Sequence, residues 1–381
     1  MDKLDNNTQT RLAIRRELQR TPRDSAKDYF VMLEGVRGIA AIAVALRHMW
    51  PTIFPMRVPV SYLAVDIFFL LSGIVIANSY EARLTNGQMG FFSFIEKRLI
   101  RLYPMYVLGI ALGVVSVLVR GDDRSQLLGQ IVSAAFYFPY IQGSSPFPLN
   151  APAWSLVFEL AINIAYAAIL VKVYSKVSLL GCVIALAVLG VAVFYGNNAL
   201  DVGFRNSDLL YGFPRVFYSF MLGVILYRLH ASSSNWARLS FGRGNRSALL
   251  LMAVFAAIMI APIPQGQIRG IYSLLAVGFV FPIVTLAALN ATPNVFTTNI
   301  LKALGSISYP LYSIHFPLYN LINAVLSYHG VNIERYAPLS GLALIIVFCA
   351  TAYLVNAYVD LPVRSFFAQW VKSLRSRLKT A

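Results

Sequence analysis

Ten continuous apolar runs constrain this chain more than any other feature of its sequence. A helix that crosses a bilayer needs roughly 20 apolar residues, and strict alternation, the mark of a membrane β-barrel, does not occur in the runs. Only 13% of the 381 residues are charged, whereas a soluble domain has about 25%. The sequence therefore predicts an all-α polytopic integral membrane protein with about ten transmembrane helices. The runs fall at about 36–54, 62–79, 103–119, 152–171, 178–195, 209–228, 247–263, 271–290, 308–328 and 340–359.

The distribution of basic residues predicts the orientation of these runs. If the N-terminus is inside, the inner segments carry 23 Lys and Arg residues and the outer segments carry seven, with Arg37 and Arg47 left inside the first run. This bias matches the positive-inside rule, so both termini are expected in the cytoplasm. It also explains the net charge of +16 without a nucleic-acid partner. The outer residues are Arg57, Arg120, Arg124, Arg205, Arg215, Arg269 and Arg335.

Because both termini are expected in the cytoplasm, the number of spans must be even. The short apolar segment 127–141 is therefore not counted as a span. We interpret it as an interfacial or re-entrant helix within one outer excursion, residues 120–151. Non-helical backbone at membrane depth must be covered by protein. The chain then divides into a basic cytoplasmic tail (1–33), a membrane core (34–362) and a second basic tail (363–381).

Ionisable residues inside the first two runs are candidates for function, because charge in a bilayer is costly. Arg37 and His48 lie eleven residues apart, which places them within about 20° of one helix face and about 16 Å apart along the axis. Asp66 begins the second run, where it could pair with Arg37, Arg47 or His48. A snorkelling arginine, a hydrogen-bonded structural histidine and a structural ion pair are the alternatives at this point.

Three further polar groups stand out. Lys97, Arg98 and Arg101 form a cationic cluster that suits phosphate, although an ordinary positive-inside signal also explains it. Glu159 shares a helix face with Ser155. His315 is flanked by Tyr309, Tyr312 and Ser313, with which it could form a polar network. The four histidines (48, 230, 315 and 329) show no ligand spacing for a metal, and Cys182 and Cys349 lie in apolar runs.

Several of these residues fall in blocks that resemble the membrane acyltransferase-3 family. The blocks follow the family order over about 330 residues. This sequence has Lys97 where the family often has Arg, and Asp360 where the family has Glu. The blocks are Leu33–Ala41 with His48, Ala64–Gly73, Lys97–Tyr106, Trp154–Glu159, Ser308–Pro317 and Asp360–Pro362.

The resemblance implies a ten-span core that transfers an acyl group, usually acetyl, from cytoplasmic acyl-CoA to a hydroxyl. The acceptor would be an extracytoplasmic carbohydrate such as a polysaccharide, O-antigen or lipid-linked sugar. No cofactor would be permanently bound, and acetyl-CoA would be the donor substrate. A bacterial inner membrane is the implied location, and a polysaccharide synthesis complex is a candidate partner.

We assign hypothetical roles to the residues on this basis. His48 is the candidate base or acyl acceptor, and Arg37 is a catalytic-site cation. Glu159 would orient or charge-balance His48, or it would position the acceptor. The acceptor is expected to enter through a cleft roofed by residues 120–151. The expected acyl-CoA contacts are Arg98, Arg101, Lys97 and Tyr106, and the supporting residues are Asp66, Ser72, Trp154, Ser155, Tyr309 and His315.

Two other classes of function fit the residues alone. A transporter or flippase for a lipid-linked sugar or small molecule could use the intramembrane His, Asp and Glu as a proton relay. A non-catalytic scaffold would not depend on His48 or Glu159. Dependence on CoA separates the acyltransferase from both.

Overall fold

The computed structural model describes residues 22–143, 145–197, 199–232 and 244–380. All regular secondary structure within these ranges is helical, which confirms the predicted all-α fold. Residues 1–21 of the predicted N-terminal tail lie outside the described residues, as do Ala381 and two predicted inner-loop residues, Arg238 and Arg243.

Twelve helices of nine residues or more form the described part of the chain, and short 3-10 or π-helical turns extend several of them. The turn Asn356–Asp360 joins the last two. The helices are α1 Pro22–His48, α2 Ser61–Thr85, α3 Phe91–Arg120, α4 Leu127–Ala135, α5 Ala151–Ala168, α6 Ser175–Gly196, α7 Leu209–Ala231, α8 Asn245–Ile260, α9 Gln267–Ala288, α10 Val295–Tyr328, α11 Leu339–Val355 and α12 Leu361–Thr380.

Seven helical stretches of the described chain are long and apolar enough to cross a membrane. They are α2, α3, α5, α6, α7, α9 and the continuous stretch that begins with α11. The chain is therefore a multi-pass membrane protein. Helix α4 has only nine residues, about 14 Å of rise, which is too short to cross a hydrocarbon core of about 30 Å. This length agrees with the prediction that segment 127–141 is not a span.

The centre of the bundle is formed by two close helix pairs. Helix α1 lies along α10, which also packs against α3, and α2 lies along α7. A Cβ atom on Gly73 of α2 would lie 2.0 Å from the carbonyl oxygen of Phe220, and one on Gly223 of α7 would lie 2.0 Å from that of Leu70. Only glycine at both positions permits this backbone contact, a small-residue packing typical of membrane helices.

A buried ion pair lies next to this glycine contact. Arg215 of α7 donates from Nε to Asp66 Oδ1 at 3.0 Å and from Nη2 to Oδ2 at 2.7 Å. Its guanidinium also donates to the carbonyl oxygens of Val202 and Tyr62. The expectation that Asp66 pairs with Arg37, Arg47 or His48 was wrong, because the close packing of α7 on α2 brings Arg215 to the carboxylate first.

A proline shapes helix α10 near the centre of the protein. Pro317 has no N–H, so the carbonyl oxygen of Ser313 lacks its usual helical donor. The side-chain Nδ2 of Asn150 donates to that oxygen at 2.9 Å. This bond ties the segment before α5 to the part of α10 that carries Tyr312 and His315.

Candidate active site

Two polar cavities meet at one tyrosine. The first, which we call the Arg37 cavity, has an empty volume of about 740 Å³ between α1, α2, α3, α5 and α10. The second, the His48 cavity, is wider and has an empty volume of about 2340 Å³ that includes open solvent. Tyr312 of α10 lines both cavities. The helical spacing predicts that Arg37 and His48 lie on one face of α1, but they line two different cavities.

The Arg37 cavity holds one carboxylate among three arginines. Glu159 Oε1 accepts from Arg98 Nη2 at 3.1 Å and from Ser72 Oγ at 3.0 Å. Arg98 is 9% exposed, and its Nε has no hydrogen-bond partner among the described residues. A guanidinium with an unused N–H donor can bind a further anionic ligand by donating a hydrogen bond to it.

The other two arginines of this cavity carry surplus charge. In the described parts of the chain, no carboxylate lies within 4.0 Å of Arg37 or Arg101. The Arg101 guanidinium lies 5.9 Å from the ring centre of Tyr309, whose hydroxyl donates to the carbonyl oxygen of Leu102. The cavity is therefore cationic on balance, which suits a phosphate-bearing ligand.

Two predicted members of this cluster lie elsewhere. The side chain of Lys97 is exposed and does not line the Arg37 cavity. The hydroxyl of Tyr106 donates to Ala134 O at 2.8 Å, and its ring stacks on Tyr137 at 4.0 Å between centres. Tyr106 therefore packs α3 against α4. The spacing on α3 explains the difference, since only Arg98 and Arg101 of this block point toward α5 and α10.

A histidine pair defines the inner end of the His48 cavity. His48 Nδ1 lies 2.9 Å from the carbonyl oxygen of Val44 and 3.0 Å from Nε2 of His315. His315 is fully buried, and its Nδ1 lies 3.0 Å from the carbonyl oxygen of Leu311 and 2.9 Å from that of Tyr312. The predicted contact between Glu159 and His48 is absent among these described residues. Glu159 lies in the Arg37 cavity instead.

The hydrogen bonds of this pair assign its protons. Carbonyl oxygens only accept, so His315 Nδ1 must carry its proton, and Nε2 of the neutral ring is an acceptor. His48 Nδ1 then donates to Val44 O and to His315 Nε2. The proton of a neutral His48 is thereby held on Nδ1, and its Nε2 keeps a free lone pair. This tautomer follows from the network and not from observed hydrogens.

Sequence reasoning placed Tyr312 in the polar surroundings of His315 but did not count it among the site residues. Its hydroxyl lies 2.6 Å from Ser155 Oγ and donates to the carbonyl oxygen of Pro152 at 3.1 Å. Its ring lies 5.2 Å from that of Phe68. The signal was its place three residues before His315 on one helix, which puts both side chains on the same face.

The wide His48 cavity is bounded by segments that we had not expected. Its walls come from residues 50–65, 201–205 and 262–269, together with Trp154 at the start of α5. Of the described residues in the predicted roof, 120–151, only Ala151 lines this cavity. Helix α4 of that segment lies against α3 instead, held by Tyr103 and Tyr106.

No group of three His, Cys, Asp or Glu residues in the described ranges could hold a metal ion. Both cysteines, Cys182 and Cys349, are free.

The structure thus combines a polytopic helical core with a cationic cavity and a histidine cavity that meet at Tyr312. A family model described as an acyltransferase domain matches residues 30–357. The chain belongs to the acyltransferase-3 family, as its motifs predicted, and it is an acyltransferase that transfers groups other than amino-acyl groups.

Named relatives agree with this family. The chain is 34% identical over 165 residues to "Protein 2 in picA locus" of Rhizobium radiobacter, a match that covers 38% of this chain and 83% of that protein. It is 24% identical over 383 residues to "Putative O-acetyltransferase SACOL0978" of Staphylococcus aureus (strain COL). It is 25% identical over 396 residues to the peptidoglycan O-acetyltransferase OatA of Listeria monocytogenes.

The two O-acetyltransferase matches cover 92% and 94% of this chain but only 59% and 60% of the relatives. This chain therefore spans about three fifths of their length. No solved structure matches it.

Proposed function

We propose that the chain O-acylates an extracytoplasmic carbohydrate, with acetyl as the acyl group and cytoplasmic acetyl-CoA as the donor. In this proposal residues 34–362 form a ten-span core in a bacterial inner membrane, with both termini in the cytoplasm. Helices α1, α8 and α10 supply the three spans beyond the seven apolar stretches. The acceptor is a polysaccharide, O-antigen or lipid-linked sugar, and a polysaccharide synthesis complex is a further partner.

The meeting of two unlike cavities at Tyr312 is the observation that carries this proposal. Arg37 lies about 16 Å before His48 along α1, so with the N-terminus inside the Arg37 cavity faces the cytoplasm. Its surplus cations suit the phosphates of CoA. The His48 cavity then faces the outside, where a carbohydrate hydroxyl can reach the imidazole.

The reaction follows from this arrangement. Arg37, Arg98 and Arg101 bind the phosphates, and the pantetheine arm carries the thioester past Tyr312 to His48. Nε2 of His48 takes the proton of the acceptor hydroxyl while its oxygen attacks the thioester carbonyl. The carbon–sulfur bond breaks, and the CoA thiolate receives the proton from the imidazolium. General base catalysis of this kind contributes about 10²–10⁴ in rate.

His315 acts as a positioning residue in this scheme. Its Nε2 accepts from His48 Nδ1 and so keeps the His48 proton away from the reacting nitrogen. The same free Nε2 also suits the covalent route, in which His48 accepts the acyl group before passing it to the hydroxyl.

The transporter or flippase alternative is not favoured, because the family match points to acyl transfer. Transport of a lipid-linked sugar requires no CoA, so CoA release separates the two functions.

The test is to incubate the purified protein in detergent with radiolabelled acetyl-CoA and to measure CoA release and label retained on the protein. His48→Ala should reduce CoA release at least a hundredfold, the lower range for a general base. His329→Ala is the matched control, because His329 is exposed and lines neither cavity. His315→Leu should lower kcat while the KM for acetyl-CoA stays unchanged.

Label that persists on wild-type protein and disappears in His48→Ala would favour the covalent route. Equal CoA release by wild type and His48→Ala would reject the assignment of His48. Failure of the wild-type protein to bind acetyl-CoA would reject the proposed donor.

A further inference from the structure

An unusual concentration of arginine surrounds the His48 cavity. Four of the seven cations predicted on the outer side line its wall, and Arg47 beside His48 adds a fifth. All eight lysines are predicted on the inner side, and all seven outer cations are arginines. The positive-inside rule predicts few cations here, and it does not explain why they meet at one cavity.

Three of these five arginines are neutralised within the protein. Arg47 Nη2 lies 2.6 Å from Asp201 Oδ2, Arg205 Nη1 lies 2.8 Å from an oxygen of Asp208, and Arg215 binds Asp66. The first pair ties the loop before α7 to α1, the second lies within that loop, and the third joins α7 to α2. The three pairs leave the wall no net charge of their own.

The remaining two arginines, Arg57 and Arg269, supply the surplus charge of the wall. Neither has a carboxylate within 4.0 Å in the part of the chain that the structure describes. Arg57 is exposed, and its guanidinium lies 5.4 Å from the ring centre of Trp50. Arg269 donates from Nε and Nη2 to the carbonyl oxygen of Ile263 at 3.2 Å and 2.7 Å, and this loop contact holds its guanidinium in place.

We propose that the acceptor is an anionic carbohydrate, whose carboxylate or phosphate is bound by Arg57 and Arg269 while a neighbouring hydroxyl reaches His48. This inference rests on the proposed function and narrows its acceptor class. A planar guanidinium binds a carboxylate or a phosphate with two parallel hydrogen bonds, and lysine cannot reproduce that geometry. The exclusive use of arginine fits such an anion.

The aromatic lining indicates that this anion is part of a carbohydrate. The side chains of Trp50, Tyr62, Trp154 and Phe204 share the wall with the arginines. Aromatic rings supply apolar faces beside polar tips and so suit an amphipathic ligand such as a sugar ring.

The first test uses the acetylated glycan itself. The surface polysaccharide and lipid-linked sugars are isolated from cells with and without the gene, and acetylated fragments are identified by mass spectrometry. We expect the acetyl groups that disappear on deletion to lie on fragments with an acidic group, and fragment masses distinguish carboxylate from phosphate. Loss of acetyl from neutral fragments alone would overturn the inference but not the proposed function. No loss of acetyl would reject both.

The second test measures transfer to glycan from the deletion strain by the purified full chain. The double variant Arg57→Gln/Arg269→Gln should raise the acceptor KM at least tenfold, since losing a charge-assisted hydrogen bond costs about that factor or more. The wild-type KM should rise with salt more steeply than that of the variant.

Two further variants keep this second test interpretable. Arg335→Gln removes an exposed outer arginine that does not line the cavity and is the matched control. Arg269→Lys keeps the charge and should restore part of the affinity if the loop folds correctly. An acceptor KM that is insensitive both to salt and to the double variant would contradict anion binding.

Discussion

The protein contains two buried ion pairs, each between an arginine and a carboxylate. They differ in how many nitrogens of the arginine have a hydrogen-bond partner within the protein. Asp66 and Arg215 are each 1% exposed, and all three guanidinium nitrogens of Arg215 donate to a carboxylate or carbonyl oxygen. Glu159 and Arg98 share one contact at 3.1 Å, beside a cavity, and Arg98 Nε has no partner among the described residues. The first pair stabilises the fold, and the second leaves binding capacity for a ligand.

The largest effect on stability is expected when the Asp66–Arg215 pair is broken. Asp66→Ala leaves the Arg215 charge buried without its partner, which costs about 3–5 kcal/mol. Thermal unfolding in detergent, followed by tryptophan fluorescence, should show a large drop in Tm. The control is Asp122→Ala, because the Arg120–Asp122 pair is 38% and 45% exposed and contributes about 0–1 kcal/mol.

A double variant keeps this prediction testable if Asp66→Ala fails to fold. Asp66→Leu/Arg215→Met removes both charges, and such apolar replacements are often neutral or stabilising. The double variant should therefore be more stable than Asp66→Ala. A single variant with the Tm of the wild type would show that the pair is not a structural element.

A smaller effect is expected when the Glu159–Arg98 pair is broken. Arg98→Ala should leave the protein folded, because Glu159 keeps its bond to Ser72 and borders a polar cavity. The KM for acetyl-CoA should rise by about one to two orders of magnitude, the range for a lost charge-assisted hydrogen bond. Lys97→Ala is the neighbouring control and should leave the KM unchanged. Equal effects of the two variants would contradict the separation of Arg98 from Lys97.

The smallest effect is expected at a polar group outside both pairs. Tyr106→Phe removes the hydroxyl bond to Ala134 and leaves the stack on Tyr137 in place. We expect about 1 kcal/mol of lost stability and an unchanged acetyl-CoA KM. A raised KM for acetyl-CoA would instead support the sequence-based prediction that Tyr106 contacts acyl-CoA.

The sequence predicted the spans well and the partners poorly. Continuous apolar runs and their basic flanks depend on local composition, so α2, α3 and α7 could be located without a structure. The partner of Asp66 depends on which helix lies beside α2, and Arg215 is 149 residues away. No periodicity within a helix carries that information.

The histidine site shows the same limit. The motifs identified both His48 and His315, yet they did not show that the two rings touch. They also suggested Glu159 as the partner of His48, because both residues belong to family blocks. Tyr312 stands between these residues, and only the three-dimensional course of α10 reveals this.

The backbone contact between Gly73 and Gly223 has a mechanical consequence. With atoms already at contact distance, and with Arg215 bound across the same interface, α2 and α7 cannot slide past each other and behave as one rigid body. Helix α10 carries Tyr312 and contains two prolines, Pro310 and Pro317, which weaken its internal hydrogen bonding. Any opening between the two cavities is then a local movement of α10 against that rigid body.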